Sequence, residues 1–319
     1  MMNMLKYIVK RLTLTLLVIA GVVTLTFIFL KTAPGDVART IIAEKYCEEA
    51  ATHENLLLGF KEKYGLELPV YVQYYRWLTS VIRGNLGYSL ITDAPVTSEI
   101  MARLPATISL AIASTLISLI LTLSLGITSA VKRKGLLYQF INFFTIFGSS
   151  IPAYVLGLLL ILIFGVTFKV LPFVGFETPF HLILPSFTLG IILSVRPLKV
   201  LQLSMIEVLE QDYIRLAKAI GLPKKLIVLK HALRNSIVPF LSILGLEVGH
   251  LITGVVVVET IFSWPGVGKL LVDSIFNRDY PLILGCVIFG ATSYCIVNLF
   301  IDILCAIINP KIRLGFSQR

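Results

Sequence analysis

The residues that could perform chemistry are few, and they form no recognisable catalytic or metal-binding pattern. Gly268 and Lys269 are adjacent but lack the GxxxxGK[ST] spacing of a phosphate-binding loop, and no serine lies in a Gly-x-Ser-x-Gly turn. The histidines lack the Cys or carboxylate spacing of a structural metal site. We therefore expect no catalytic residue, resident cofactor or metal ion in this chain. The four histidines are His53, His181, His231 and His250.

A basic segment, residues 210–239, lies between two long apolar runs. Small residues at Ala217, Ala219 and Gly221 would let a short helix and its following turn lie close against another surface, with glycine in the C-terminal turn. Lysines after the glycine favour the negative end of the helix dipole. The segment predicts either a docking helix or a solvated amphipathic helix on the membrane surface. The candidate docking residues are Asp212, Tyr213, Arg215, Ala217, Ala219, Gly221, Lys224, Lys225, His231 and Arg234.

Composition assigns the chain to a membrane. Mean hydropathy is +0.89 and charged residues make up 14%, against roughly 25% in soluble domains. Uncharged runs of about 20 residues can cross a bilayer as helices. The chain holds six long apolar runs, which predict an all-α integral membrane protein with six transmembrane helices, the third kinked between Gly148 and Pro152. The runs are 12–30, 104–131, 135–168, 178–195, 235–258 and 281–310.

Basic residues predict the orientation, because inner loops retain an excess of Lys and Arg. With the N-terminus inside, 17 basic and three acidic residues fall on the inner side, against 11 and 13 on the outer side. Both termini are therefore expected in the cytoplasm, and the net charge of +10 requires no nucleic-acid partner. The first run could be a cleaved signal peptide, but it exceeds the usual length of about 7–15 apolar residues, which favours a retained helix.

Three regions follow from these runs: 1–30 with the N-terminus and first helix, 31–103 outside the membrane, and 104–319 with five helices and a cytoplasmic loop at about 202–234. The external region is the only sizeable one outside the membrane.

Two helices are predicted in the external region. Alternating charge and apolar residues indicate an amphipathic helix over 44–63 that ends at Gly65. A second helix over 70–81 carries a set of aromatic residues. These rings predict either anchors at the lipid headgroups or a landing surface for an external partner. The set is Tyr71, Tyr74, Tyr75 and Trp77.

The docking segment, DYIRLAKAIGLPKKLIVLKHALRNSIVP, resembles that of the permease subunits of binding-protein-dependent ABC importers. The resemblance is to the dipeptide, oligopeptide and nickel branch, and to the B type of its two permeases. The shared signature, EAA followed by three residues and a glycine, aligns with 215–217 and Gly221. Its first two positions depart from the general consensus, as in the peptide branch, and so do residues 231–234. Further similar stretches are 5–36, 64–90, 103–112 and 256–285.

The resemblance implies a subunit of the inner (plasma) membrane that forms half of a translocation pathway with a second, related permease. Two separate ATPase subunits would bind ATP and magnesium, and an extracytoplasmic binding protein would deliver the cargo. Residues 212–221, the coupling segment, would enter a cleft on an ATPase and transmit its closure as a rigid-body rotation. The implied cargo is a di- or oligopeptide, with a nickel or other metal chelate as the alternative. A secondary transporter, another class, would be expected to show internal repeats.

The resemblance also implies an external re-entrant segment near the gate, over 259–280, where proline and glycines interrupt the helix. Two of its aromatic residues, Phe262 and Trp264, could equally be anchors at the membrane interface. We call residues 259–268 the gate segment. The candidate gate residues are Glu259, Trp264, Pro265, Gly266 and Gly268.

Two acids lie within the apolar runs, where a charge near the bilayer centre costs roughly 2.5–3.5 kcal/mol. Glu247 has His250 one turn later on the same helix face. This pair predicts a translocation path that favours cationic or amine-bearing cargo. The alternative is a carboxylate that is protonated or hydrogen-bonded between helices. Asp302 is expected to pair locally with Lys311 or Arg313.

Overall fold

The computed structural model is all-α, as predicted. It describes residues 4–32, 34–46 and 50–308. Within these residues, β structure is limited to one isolated bridge between Tyr88 and Pro95. The helices group into two compact units. Unit 1 comprises the described parts of Met1–Tyr7, Ile108–Trp264 and Tyr294–Arg319, and unit 2 those of Ile8–Thr107 and Pro265–Ser293.

Thirteen α-helices follow one another in the described residues, joined by short 3₁₀ and π-helical turns. They are α1 (Met4–Thr32), α2 (Val37–Lys45), α3 (Glu54–Lys63), α4 (Val70–Ile82), α5 (Val96–Val131), α6 (Leu136–Ser150), α7 (Ala153–Leu160), α8 (Ile183–Leu209), α9 (Asp212–Ala219), α10 (Lys224–Leu226), α11 (Leu233–Ile261), α12 (Val267–Phe276) and α13 (Tyr280–Ile308).

Several of these helices are long and apolar enough to cross a membrane. The described residues contain five such spans, or up to six if one bent helix pair counts as a span. This range includes the six helices predicted. The five spans are Thr13–Thr32, Val96–Val131, Pro179–Leu209, Lys224–Gly249 and Tyr280–Phe300.

The bent pair is the third predicted helix, and its break is sharper than the expected kink. Helix α6 ends at Ser150, α7 begins at Ala153, and the two axes differ by 111°. Ile151 between them has extended backbone angles, φ −89° and ψ 123°. The following Pro152 explains this conformation, because proline disfavours the helical region for the residue before it. The chain continues from α7 into a π-helical stretch, Ile161–Thr167.

The fourth helix is longer than its apolar run. Because α8 continues from Ile183 to Leu209, Arg196 and Lys199 lie inside it. The sequence analysis ended the fourth apolar run at Val195 and counted both residues on the inner side, and this predicted end of the helix is too early. The helix continues past the two cations because neighbouring helices supply polar partners for them, Glu247 of α11 for Arg196 and Asn142 of α6 for Lys199.

The external region contains three helices where two were predicted. The prediction of a single helix over 44–63 is wrong, because α2 ends at Lys45 and α3 begins only at Glu54. The predicted stop at Gly65 is confirmed: the amide of Leu66 donates to Lys61 O at 2.8 Å, closing the helix end. Helix α4, Val70–Ile82, matches the helix predicted over 70–81 within one residue.

The aromatic residues of α4 divide between two environments. Phe27 of α1 stacks on Trp77 at 5.7 Å between ring centroids and meets Tyr74 edge-on at 5.2 Å. Tyr71 and Tyr75 are 75% and 68% exposed. Half of the set therefore holds α4 against α1, and the other half faces outward.

Candidate functional site

The coupling segment forms helix α9 and the turn that closes it. The amide of Leu222 donates to Ala217 O, and the amide of Gly221 donates to Lys218 O, both at 3.1 Å. These two bonds form a Schellman motif, which requires a left-handed residue after the helix. Gly221 has φ +81°, as this position demands. The glycine turn predicted from the sequence is therefore present.

Helix α9 is held by its own chain through one apolar face. Ile214 and Ala217 are buried in a cluster with Ile227, against which Leu209 and Leu222 pack. Ala217 thus contacts this chain's own core, whereas it was expected to seat the helix on another protein. Ala219 and Gly221 are exposed.

A second apolar face of α9 points away from the chain. Tyr213, Leu216 and Ile220 are 40%, 63% and 68% exposed. Their spacing of three and then four residues places them on one side of the helix. Exposed apolar surface of this kind marks interaction sites. The sequence analysis chose the small residues and missed Leu216 and Ile220, although the i, i+3, i+7 spacing was visible.

Polar contacts fix the ends of this region. The amide nitrogen Nδ2 of Asn235 donates to Tyr213 Oη at 2.7 Å, which ties the start of α9 to the start of α11. Arg133, just after α5, forms an ion pair with Glu210, just before α9. Arg215 pairs with Asp212 at 3.3 Å on the exposed surface. Helix α9 is therefore positioned by contacts at both of its flanks.

The basic residues that follow α9 lie along a shallow cavity. Lys224 and Lys225 are exposed at the start of α10 and, with Lys132, line a cavity of about 350 Å³ whose other walls are mostly apolar. His231 lies in the π-helical stretch Ile227–Ala232, and Arg234 is exposed at the start of α11. The candidate docking residues thus occupy one continuous stretch of unit 1.

Glu247 lies on α11 and forms an ion pair with Arg196 of α8. Arg196 Nη1 donates to Glu247 Oε1 at 3.1 Å. The Arg196 side chain is 74% exposed, and that of Glu247 only 14%. A carboxylate bonded between helices, one of the alternatives weighed for Glu247, is the arrangement present. The side chains of His250 and Asp302 lie outside the described residues, as do Lys311 and Arg313.

A second polar contact lies one turn further along α8. Lys199 Nζ donates to Asn142 Oδ1 of α6 at 3.1 Å and to Gln202 Oε1 at 2.9 Å. Gln202 is fully buried. Both of these acceptors are neutral. Sequence reasoning missed both cations because they follow the end of the fourth apolar run at Val195.

The first half of the gate segment is buried in unit 1. Phe262 and Trp264 are each 1% exposed, and Glu259 is fully buried. Trp264 meets Phe176 edge-on at 4.7 Å between centroids. A Cβ atom at Gly157 of α7 would lie 3.2 Å from the ring of Phe262, so the ring packs directly on that helix. Burial on this scale contradicts the interpretation of Phe262 and Trp264 as anchors at a lipid interface.

The second half of the gate segment belongs to unit 2. Pro265 and Gly266 precede α12, and Thr107 Oγ1 accepts from the amide of Val267 at 2.8 Å, so the helix start is partnered. Gly268 is buried in the first turn of α12. The predicted interruption of helix is therefore present between Ile261 and Val267.

A buried acid, Asp279, holds unit 2 together between α12 and α13. It accepts from the Ser89 hydroxyl, from the amide of Leu90 at 3.1 Å and from the amide of Leu282 at 3.3 Å. Burial raises the pKa of this carboxyl, and the hydrogen bonds only partly offset it. The sequence analysis did not single out Asp279, because its partners lie about 190 positions away along the chain.

Within the described residues, no three His, Cys, Asp or Glu side chains come close enough to hold a metal ion. The fold and these contacts define a multi-pass membrane protein with a short helix that carries an exposed apolar face between two of its spans.

Comparison with known proteins assigns this protein to a family. The family model "Binding-protein-dependent transport system inner membrane component" matches residues 122–314, and the model of its N-terminal region matches residues 4–111. The glutathione transport system permease protein of Pectobacterium atrosepticum is 39% identical over 97% of this chain and 99% of its own length. The oligopeptide transport system permease protein of Bacillus subtilis is 38% identical over 96% and 99%. This chain belongs to the family and is an inner-membrane permease subunit of an ABC importer.

Proposed function

We propose that this chain is one of two related permeases in an ATP-driven importer of peptides, with both termini in the cytoplasm. The names of the relatives favour peptide cargo, since glutathione and oligopeptides are both peptides. The distribution of basic residues supports the orientation. The exposed apolar face of α9 is the observation that carries the proposal, because it offers a binding surface to a partner. The sequence has no phosphate-binding loop, so the proposed ATP hydrolysis belongs to that partner.

In the proposed mechanism, Tyr213, Leu216 and Ile220 enter a cleft on the ATPase. The buried face formed by Ile214 and Ala217 transmits the movement to the chain's core. Because that face packs tightly, α9 and its neighbours move as one body when the ATPases close on ATP and magnesium. The exposed Lys224, Lys225 and Arg234 shape the rim of this contact, with His231 behind them.

The gate segment acts at the outer end of the same movement. Phe262 packs on α7 and Trp264 on Phe176, so this part of the segment moves with the bent helix pair. Pro265, Gly266 and Gly268 allow the chain to turn between α11 and α12. Glu259 is a positioning residue, because it is buried and its carbonyl accepts from the amide of Trp264 at 2.8 Å.

The test is reconstitution of the complete importer in vesicles: both permeases, the two ATPases and the binding protein. ATP-dependent uptake of a labelled peptide pool and of nickel is followed separately. We expect peptide uptake that disappears when the ATPases are omitted. Nickel uptake without peptide uptake would contradict the cargo, and uptake without ATP would contradict the importer mechanism.

A further inference from the structure

An ion pair at the middle of two membrane-spanning helices is not explained by the coupling mechanism. Arg196 lies 13 residues from each end of α8, and Glu247 lies 14 residues from each end of α11. At 1.5 Å per residue both side chains are about 20 Å from their helix ends. The two helices pack against each other, and the ion pair joins the middle of one helix to the middle of the other.

The two members of the pair differ in exposure. Glu247 is mostly covered, whereas three quarters of the Arg196 side chain is exposed. A guanidinium at this depth is strongly disfavoured in lipid, so ionisable residues there face a water-filled cavity or a protein neighbour. The exposed face of Arg196 therefore needs a water-filled cavity or a protein neighbour, and a pathway shared with the second permease of the proposed importer provides both.

The chemistry of Arg196 suits a carboxylate. Its planar guanidinium has five N–H donors and binds carboxylates in a two-bond fork. In the part of the chain that the structure describes, Nη1 bonds to Glu247. Lys199 lies one turn further along α8, held by the neutral oxygens of Asn142 and Gln202, and adds a second positive charge.

We propose that Arg196 is a specificity-determining residue that binds the C-terminal carboxylate of the passing peptide at the middle of α8. The peptide carboxylate takes the place of the Glu247 carboxylate, which re-forms its ion pair with Arg196 when the peptide leaves. Such an exchange keeps the site weak enough to release its cargo, as transport requires. The preference is for anionic groups, the opposite of the cationic preference predicted from Glu247 alone.

This inference rests on the proposed peptide import, and the experiment separates the two. The complete importer is reconstituted, and KM and Vmax are measured for one labelled peptide with a free C-terminal carboxylate and for the same peptide as its C-terminal amide. The ratio of Vmax/KM for the two forms is compared between variants, so that any preference of the binding protein cancels. Absence of peptide uptake by the wild type would contradict the proposed function itself.

We expect Arg196→Gln to lower the carboxylate-to-amide ratio by about tenfold or more, and Arg196→Lys to lower it less, because a point charge replaces the fork. Lys169→Gln removes an exposed cation that lies outside α8 and α11 and should leave the ratio unchanged. An unchanged ratio in Arg196→Gln, with or without an equal loss of uptake for both forms, would overturn the inference.

A charge exchange tests the same point should Arg196→Gln fail to assemble. The double variant Arg196→Glu with Glu247→Arg keeps an ion pair between α8 and α11 but places the carboxylate on the exposed side. We expect the importer to assemble and the preference for the free carboxylate to be lost. A retained preference in this variant would overturn the proposal.

Discussion

The coupling segment and the gate segment are each ten residues long and rich in apolar side chains. They differ in how far their largest apolar side chains are exposed. In the coupling segment, Leu216 and Ile220 are 63% and 68% exposed. In the gate segment, Phe262 and Trp264 are almost completely buried. We propose that the first segment binds a partner, whereas the second packs within its own chain. Mutations should therefore affect association in one segment and folding in the other.

The largest effect on stability is expected from Trp264→Ala. Loss of a buried aromatic ring leaves a cavity and typically destabilises a protein by about 3–5 kcal/mol. We expect a fall of many degrees in Tm, measured on the purified complex, together with loss of uptake. Trp264→Phe should recover most of the stability, because a ring still meets Phe176. A Tm unchanged by Trp264→Ala would mean that the gate segment is not part of the packed core.

The coupling segment should respond in the opposite way to Leu216→Asp. The side chain is exposed, so the stability of the subunit should change by less than about 0.5 kcal/mol. A carboxylate on the docking face should nevertheless remove the ATPases from the purified complex and abolish ATP-dependent uptake. Lys218→Asp is the matched control on an exposed position of the same helix. If the Leu216 variant keeps its ATPases, the docking face lies elsewhere.

A smaller effect is expected at the turn that ends α9. Gly221 has φ +81° and open space around it, so a side chain is strained there without a clash. A β-branched residue in this conformation costs roughly 1–2 kcal/mol. We predict that Gly221→Val lowers the uptake rate severalfold, whereas Gly221→Asn, which tolerates positive φ, stays close to wild type. Equal uptake by the two variants would show that the turn does not position α9.

The smallest effect is a pH dependence at Asp279. Because burial raises the pKa of this carboxyl in the folded chain, the folded state binds its proton more tightly than the unfolded state. Its stability contribution therefore increases as pH falls through the folded pKa towards the unfolded value. We predict that the Tm of wild type minus that of Asp279→Asn grows as the pH falls from neutral towards the pKa of an unfolded aspartate, about 4. A Tm difference that shrinks on acidification would contradict this prediction.

The sequence predicted most of the helices and their ends, because long apolar runs and helix-ending residues are local signals. The break near Pro152, the start of α4 at Val70 and the turns at Gly65 and Gly221 were all visible within a few residues. The helix predicted over 44–63 failed because no local signal reveals the break after Lys45.

Partners distant in sequence were not predictable in the same way. Arg196 was placed beyond the fourth helix because a charge normally ends an apolar run, and its partner Glu247 lies 51 positions further along the chain. Ala217 was expected to contact another protein, because a small residue suits any close contact. Only the packing shows that it contacts the core of its own chain instead. Untested roles in transport, including those of His231 and His250, stay predictions.

The most direct test of the coupling role is photo-crosslinking from two exposed apolar positions in the assembled importer. A benzophenone amino acid is placed at Leu216 of α9 or at Phe276 of α12, which are 63% and 77% exposed. We predict a crosslink to the ATPase from position 216 that changes in yield when ATP binds, and none from position 276. An ATPase crosslink from position 276, or its absence at position 216 in an importer that takes up peptide, would contradict the account.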